Sequence, residues 1–235
     1  MGSEEHLKSL EDENWVEDPT PPKQIPFTGE PGLLINPEDR PSTPLQFFQL
    51  FVPREMLEFM ATETNMYAYY CKSNHFKKCT SEFRNVTIDD IAKYLGLRVL
   101  MAIFRLPEER MHWSTKKEYH NPIFNMTMPF NRYQSISKYF HTFNREAVRQ
   151  NNTDKLVLVR PVMDFIREQC SLVYQPNEHL SIDEATLPHT GLLSIKVYNK
   201  DKPNKYGIKF YMICEAKSGY VLNWSTYPHL ASHIM

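Results

Sequence analysis

The 235-residue sequence predicts an α+β protein, helical through its middle and stranded at its end, and three observations predict it. Apolar residues recur at helical spacing in successive stretches between residues 44 and 174, most of them opened by a capping residue or a proline. After Gln175-Pro176-Asn177-Glu178 the period drops to two, and "HLSIDEA" sets Leu180 and Ile182 on one side with Ser181 and Asp183 on the other. Before Ser42 neither period holds. The organisation is therefore an acidic arm over residues 1–41, a helical region over 42–178 and a strand unit over 179–235.

The arm contains "EDPTPPKQIPFTGEPGLLINPEDRP", which buries too little apolar area to offset its ordering entropy. It is expected to be disordered or extended, with Trp15, Phe27 and the Leu33–Ile35 run as local anchors. In "STPLQFFQLF", Ser42 or Thr43 caps a helix, Pro44 enters its first turn, and Leu45, Phe48 and Phe51 share a face. Pro53 restarts a helix that places Met56, Leu57, Met60 and Tyr67 at helical spacing. Thr87 caps the next, two aspartates favour its positive end, Ile91, Leu95, Val99 and Ala102 are expected to face inward, and Pro107 ends it. "MPFNRYQSISKYFHTF" gives a fourth helix with Pro129 near its start. "TDKLVLVRPVMDFIREQCSLVY" gives a fifth, with Leu156, Val159, Met163, Ile166 and Cys170 in line and Pro161 expected to bend or split it. The later segments "LSIKVYN", "YGIKFYMICEA" and "YVLNWSTY" read as strands on short connections, an antiparallel meander.

Composition bounds the function. Apolar residues are 41% and aromatic residues 13%, enough for a core. No run approaches the roughly 20 apolar residues of a membrane span, and no membrane partner is expected. The start "MGSEEHLKSLEDENW" lacks the pattern of a signal peptide, so an intracellular protein is expected. Residues 1–40 hold three basic and ten acidic groups of the chain's 27 and 28, which leaves a body of net charge +6 behind an acidic tail. That asymmetry suits phosphate contacts, and equally a solvated tail on an ordinary domain. The four cysteines are expected to be free thiols. Cys71, His75 and Cys79 offer three soft ligands, short of the four a structural zinc usually takes, and read as bystanders. His112, His141, His179 and His189 show no paired ligand spacing.

Asp183 is the residue with chemistry to offer. Metal-dependent phosphoryl-transfer enzymes place a carboxylate at the end of a rigid strand, because Mg²⁺ takes hard oxygen ligands and two ions about 4 Å apart clamp an in-line displacement. One carboxylate does not assemble that clamp. Taken alone, "SIDEA" is a structural or solvated strand end.

With its surroundings, the segment resembles the piggyBac transposases and the piggyBac transposable element-derived proteins. The resemblance is carried by "LSIDEAT", "KVYNKDKPNKYGIKFYMICEAKSGYVLN", "DKLVLVRPVMD", "TPLQFFQLF" and "TNMYAYY", over about residues 42–227. It implies that residues 179–235 are the first strands of an RNase H-like catalytic domain, and that Asp183 is the first of three Mg²⁺-binding aspartates. It also implies that the helical region takes part in dimerisation and DNA binding, and that Lys196, Lys202, Lys205 and Lys209 are phosphate contacts. Two departures follow. Thr190 and Leu192 stand in "LPHTGLL" where the family carries basic groups. The second and third aspartates fall beyond the hairpin that contains "SGY", so the chain reads as truncated with an incomplete metal site; Glu184, Asp201 and Glu215 match neither position. The strand around Ile182 would then have one unpaired edge, with residues 179–235 marginally stable unless "YPHLASHIM" or a partner caps them.

Three readings remain: a nuclear, non-catalytic DNA-binding or regulatory protein, with a homodimer as its assembly; the front part of an active transposase; and a protein-interaction module.

Overall fold

Helix starts are written in local chemistry, and they set the first half of the architecture. The structure is a computed structural model that describes residues 25–74, 83–144 and 154–226. Helix α1 (Pro44–Phe51) begins at Thr43, whose hydroxyl accepts the Gln46 N–H at 3.3 Å while Gln46 Oε1 accepts the Thr43 N–H at 3.1 Å. Helix α2 (Arg54–Ser73) follows Pro53. Helix α3 (Ile88–Ile103) opens with the same reciprocal pair, Thr87 with Asp90, and ends four residues before Pro107. Helices α4 (Pro122–Thr127) and α5 (Phe130–Tyr139) follow Asn121 and Pro129, and α6 (Arg160–Val173) runs into the strands.

These helices enclose one main core, in which Met56, Met60, Ile91, Tyr94, Leu97, Trp113, Phe124, Tyr133 and Ile136 are buried. Tyr133 lies at its centre, its ring 4.8 Å from that of Trp113 and 5.2 Å from that of Tyr94. Arg132 ties α5 to α3. Its guanidinium donates to the carbonyls of Arg84 and Asn85, at 2.7 and 3.0 Å, and to Asp90 at 2.8 Å. Burial raises the Asp90 pKa, but bonds from Arg132 and Thr87 outweigh it and hold the carboxyl below its ordinary 3.8.

Several expected faces are corrected. In α3 the buried residues are Ile91, Tyr94 and Leu97, and Val99 and Ala102 are exposed, because Tyr94 packs inward, tilted against Tyr133 and Phe140, and turns the stripe. In α1 Leu45 and Phe48 are 63% and 41% exposed: this short helix lies at the margin against α6 and buries no residue fully. Pro161 neither bends nor splits a helix; it sits in the first turn of α6, where its missing N–H costs nothing. Leu156 therefore lies in the turn before α6, although buried.

His112 lies in the short 3₁₀ turn Glu109–Trp113, buried, with its ring centroid 4.6 Å from that of Phe124. Desolvation lowers its pKa from 6.5, against a smaller opposing pull from Glu109. The unfolded chain then binds the proton more readily than the folded one. This contribution to stability is present above pH 6.5 and is lost as pH falls toward the depressed folded value. Thermal melts from pH 7.5 to 5 should show this loss, and His112→Phe should flatten that part of the profile. An identical profile in the variant would contradict the assignment.

The strand unit is a sheet of four strands, β3 (Leu180–Pro188), β4 (Lys196–Tyr198), β5 (Tyr206–Glu215) and β6 (Val221–Thr226); β3, β4 and β6 each pair antiparallel with β5, so β3 skips β4 and the expected meander is corrected. β3 runs the full length of one edge of β5, from Leu180↔Glu215 to Pro188↔Gly207. β4 and β6 share the other edge, with a register shift at Ile213/Cys214. Among the described residues the outer edge of β3 has no strand beside it, and Ile182 is 72% exposed. The capping role suggested for "YPHLASHIM" falls on residues outside the described ones.

Helix α6 joins the two halves. Ser171 Oγ donates to Leu222 O at 3.1 Å, and the Tyr220 hydroxyl donates to Cys170 O at 3.0 Å. Burial, and the Cys170 thiol and Tyr174 beside it, push the Tyr220 pKa up to about 12. The arm is not unstructured to its end. Gly32–Leu33 (β1) pairs antiparallel with Tyr174–Gln175 (β2) directly after α6, and Leu34 N–H donates to Val173 O at 2.8 Å, so the apolar run docks. Trp15 lies outside the described residues.

Candidate functional site

Asp183 stands on β3 in register with Met212 of β5, and Met212 with Trp224 of β6. Alternation along the strand sends Ile182 and Glu184 to the other face. Asp183 is exposed, and its Oδ1 accepts the N–H of Glu184 at 2.6 Å, so the carboxylate folds back on its own strand.

The nearby acids are committed elsewhere. Glu184 is ion-paired with Lys209 at 2.5 Å across the β3–β5 pair, on the opposite face from Asp183. Glu215 is buried and accepts from the N–H and hydroxyl of Ser218; the latter bond, most of all, lowers its pKa. That bond locks the β5–β6 turn, in which Gly219 has φ 72°, a conformation L side chains rarely adopt. Asp201 lies in the β4–β5 loop. Mg²⁺ needs several oxygen ligands converging on one point. Among the described residues no three of His, Cys, Asp and Glu come together to hold a metal, so the donor set around Asp183 does not fit the ion the resemblance implies.

The four lysines divide into two kinds. Lys196 donates to Gly191 O at 3.0 Å and stands 5.3 Å from the Tyr206 ring centroid, holding the loop that follows β3. Lys209 is tied to Glu184, which is the main cause of its raised pKa, and lies over the Tyr211 ring. Lys202 and Lys205 project from the exposed β4–β5 loop, whose ends are closed by Asn199 N–H donating to Lys205 O at 2.8 Å. Lys200 shares this loop and was missed in the sequence; its signal was the same run of alternating lysines. Thr190 and Leu192 are exposed and add no charge.

Two motif residues acquire physical roles. A Cβ on Gly207 would lie 2.4 Å from Leu187 O, so "KYG" marks the place where β5 passes tightly against β3. In "DKLVLVRPVMD", Asp154 accepts from Arg160 Nε and Nη2 at 2.7 and 2.9 Å and from the Leu156 N–H at 2.9 Å, fixing the entry to α6. Cys71 is buried at the end of α2, whereas His75 and Cys79 lie outside the described residues. No described helix is long and apolar enough to cross a membrane.

Comparison with known proteins agrees with this fold. A DDE-type family model described as "Transposase IS4" matches residues 43–230. The human PiggyBac transposable element-derived protein 3 is 28% identical over 170 residues, covering 72% of this chain and 27% of that protein. The human PiggyBac transposable element-derived protein 2 is 25% identical over 184 residues, covering 77% and 28%. Among solved structures, the piggyBac transposase in a synaptic complex with hairpin DNA superposes with a TM-score of 0.68 at 24% identity, covering 87% of this chain and 42% of that one. The chain thus spans somewhat over a quarter of the length of these curated relatives.

Proposed function

The chain belongs to the piggyBac-type transposase family, and from that membership we propose that these 235 residues form a DNA-associated unit that assembles no cleavage centre of its own. The observation that carries the proposal is the division of charge around β3. The acids near Asp183 are spent on Lys209 and on the Ser218 turn, while Lys200, Lys202 and Lys205 form an exposed cationic loop. Such a loop supplies phosphate contacts, which position a duplex without reading its sequence. A nuclear location and a homodimer belong to the same proposal. Mg²⁺ enters it only as the ion that Asp183 would help to hold where further carboxylates were supplied.

Duplex binding by this polypeptide is expected to weaken steeply with salt as counterions leave the phosphates. Replacing Lys200, Lys202 and Lys205 together with alanine should reduce the slope of log K against log salt by about 2–3, at roughly 0.9 per lost phosphate contact. Binding that ignores ionic strength, or no binding at low salt, would sink the DNA reading. In a Mg²⁺ or Mn²⁺ nicking assay no turnover dependent on Asp183 is expected; its appearance, abolished by Asp183→Ala, would overturn the non-catalytic half.

A second reading is favoured by the outer edge of β3. It has no strand beside it among the described residues, and Asp183 sits exposed on it. In a longer transposase a further strand and its carboxylates would complete the site there.

A further inference from the structure

The outer edge of β3 is a row of backbone groups whose phase can be read from the bonds at its two ends. Ala216 N–H donates to His179 O at 2.9 Å, and His189 N–H donates to Tyr206 O at 3.2 Å. Both bonds continue the register between β3 and β5, so the odd-numbered residues of β3 exchange their bonds with β5. The backbone groups of Leu180, Ile182, Glu184, Thr186 and Pro188 therefore point outward, away from β5. Pro188 agrees with this phase, because a strand tolerates proline where the missing N–H would face outward from an edge. An open edge is a template for another strand, and a second copy of the chain carries the same edge. Leu180, Ile182 and Leu187 are exposed along it and would add apolar area to such a contact. At the middle of the row, however, one donor is already taken. Asp183 Oδ1 accepts the Glu184 N–H at 2.6 Å. The outward N–H groups left are those of Leu180, Ile182 and Thr186, divided by the carboxylate.

We propose that Asp183 guards this edge, holding the chain against strand-to-strand association with a second copy. The carboxylate acts in two ways. It withholds the central N–H from an incoming strand, and it sets charge against like charge. Antiparallel pairing centred on Asp183 would place Asp183 opposite Asp183, and pairing centred on Glu184 would place Glu184 opposite Glu184; like charges directly opposite destabilise a strand pair. Glu184 is already ion-paired with Lys209, so the repulsion at the centre of the row falls to Asp183. This role needs neither a metal nor DNA, and neither the nicking result nor the salt dependence of duplex binding bears on it.

The test is sedimentation velocity of the full chain over a range of protein concentrations, with hydrogen exchange read at the outward amides of β3. Asp183→Ala removes both the acceptor and the charge, and should strengthen self-association several-fold over whatever the wild type shows. In that variant the amides of Ile182 and Thr186 should exchange more slowly as concentration rises. Asp183→Asn keeps an acceptor without the charge and should fall between the two. Ile182→Pro, added to Asp183→Ala, takes away an outward donor while sparing the bonds to β5. It should return association to the wild-type level and let Thr186 exchange freely again. Circular dichroism melts verify that the variants fold. If Asp183→Ala associates no more than the wild type, the proposal is overturned. It is equally overturned if association rises while Ile182 and Thr186 exchange as in the wild type, or if the added proline leaves that association unchanged, because the contact then lies elsewhere.

Discussion

Alanine in place of Tyr133 is expected to destabilise the helical region by about 3–5 kcal/mol, as large-to-small changes of buried aromatic residues do. The side chain is fully buried and touches the rings of Tyr94, Trp113 and Phe130. Its hydroxyl accepts from Arg98 Nη1 at 3.1 Å and donates to Glu109 Oε1 at 3.3 Å, where burial raises its pKa against the opposing pull of Arg98. Truncation therefore opens a cavity where α3, α5 and the 109–113 turn meet, and takes a partner from the Arg98–Glu109 pair. Tyr133→Phe keeps the ring and gives up the hydroxyl, and should cost only about 1 kcal/mol. Urea denaturation of the three proteins separates the terms. An alanine variant within 1 kcal/mol of the wild type would mean that the core relaxes around this position more freely than its packing implies.

Gly207→Ala is expected to cost about 1–3 kcal/mol, the range for forcing a group into filled space. The effect should be local. The new methyl would meet Leu187 O at 2.4 Å and Thr186 Cγ2 at 2.6 Å, and the first of these is backbone, which no side-chain rotation can clear. The end of β3 must part from β5, loosening the rungs Leu187↔Ile208 and Pro188↔Gly207 while Leu180↔Glu215 stays closed at the far end. Hydrogen exchange in the variant should rise at residues 186, 187 and 206–209 and remain slow toward the other end of β5. Uniform or unchanged exchange would show that the strand does not depend on this close approach.

What the sequence disclosed divides along a physical line. Thr43, Thr87 and Pro129 announced their helices because caps are local, decided within one turn of chain. Asn121-Pro122 carried a similar signal for α4 and was passed over; Asn121 Oδ1 accepts the Ile123 N–H at 3.2 Å. Buried faces were less legible. The inward face of α3 depends on which rings Tyr94 meets, and Tyr133 and Phe140 lie some 40 residues along the chain. The exposure of Leu45 and Ile182 has a like cause, since periodicity tells which residues share a side and not whether that side is covered. At the site, Lys202 and Lys205 lie in the exposed turn that their motif marked, whereas Asp183, read as a strand end, sits in the middle of β3, which runs on to Pro188. That Lys209 answers Glu184, and that Glu215 closes its own turn, are cross-strand facts fixed only by register. Trp113 is buried and its Nε1 donates to Met128 O at 2.7 Å, an anchor whose partner lies 15 residues along the chain.

The short ladder between Gly32–Leu33 and Tyr174–Gln175 dictates an order of events. Closed first, on an unfolded chain, it would have to span roughly 140 residues at an entropic cost of about 4 kcal/mol, far more than two rungs return. Closed after the helices have formed, it need only immobilise a few residues against a surface already in place. The arm is thus the last piece to fasten and the first to come undone, and on the ribosome it waits for Tyr174 and Gln175 to emerge. Whatever holds or cuts that leading segment acts as a latch on the junction behind α6, leaving the interior of the helical region untouched.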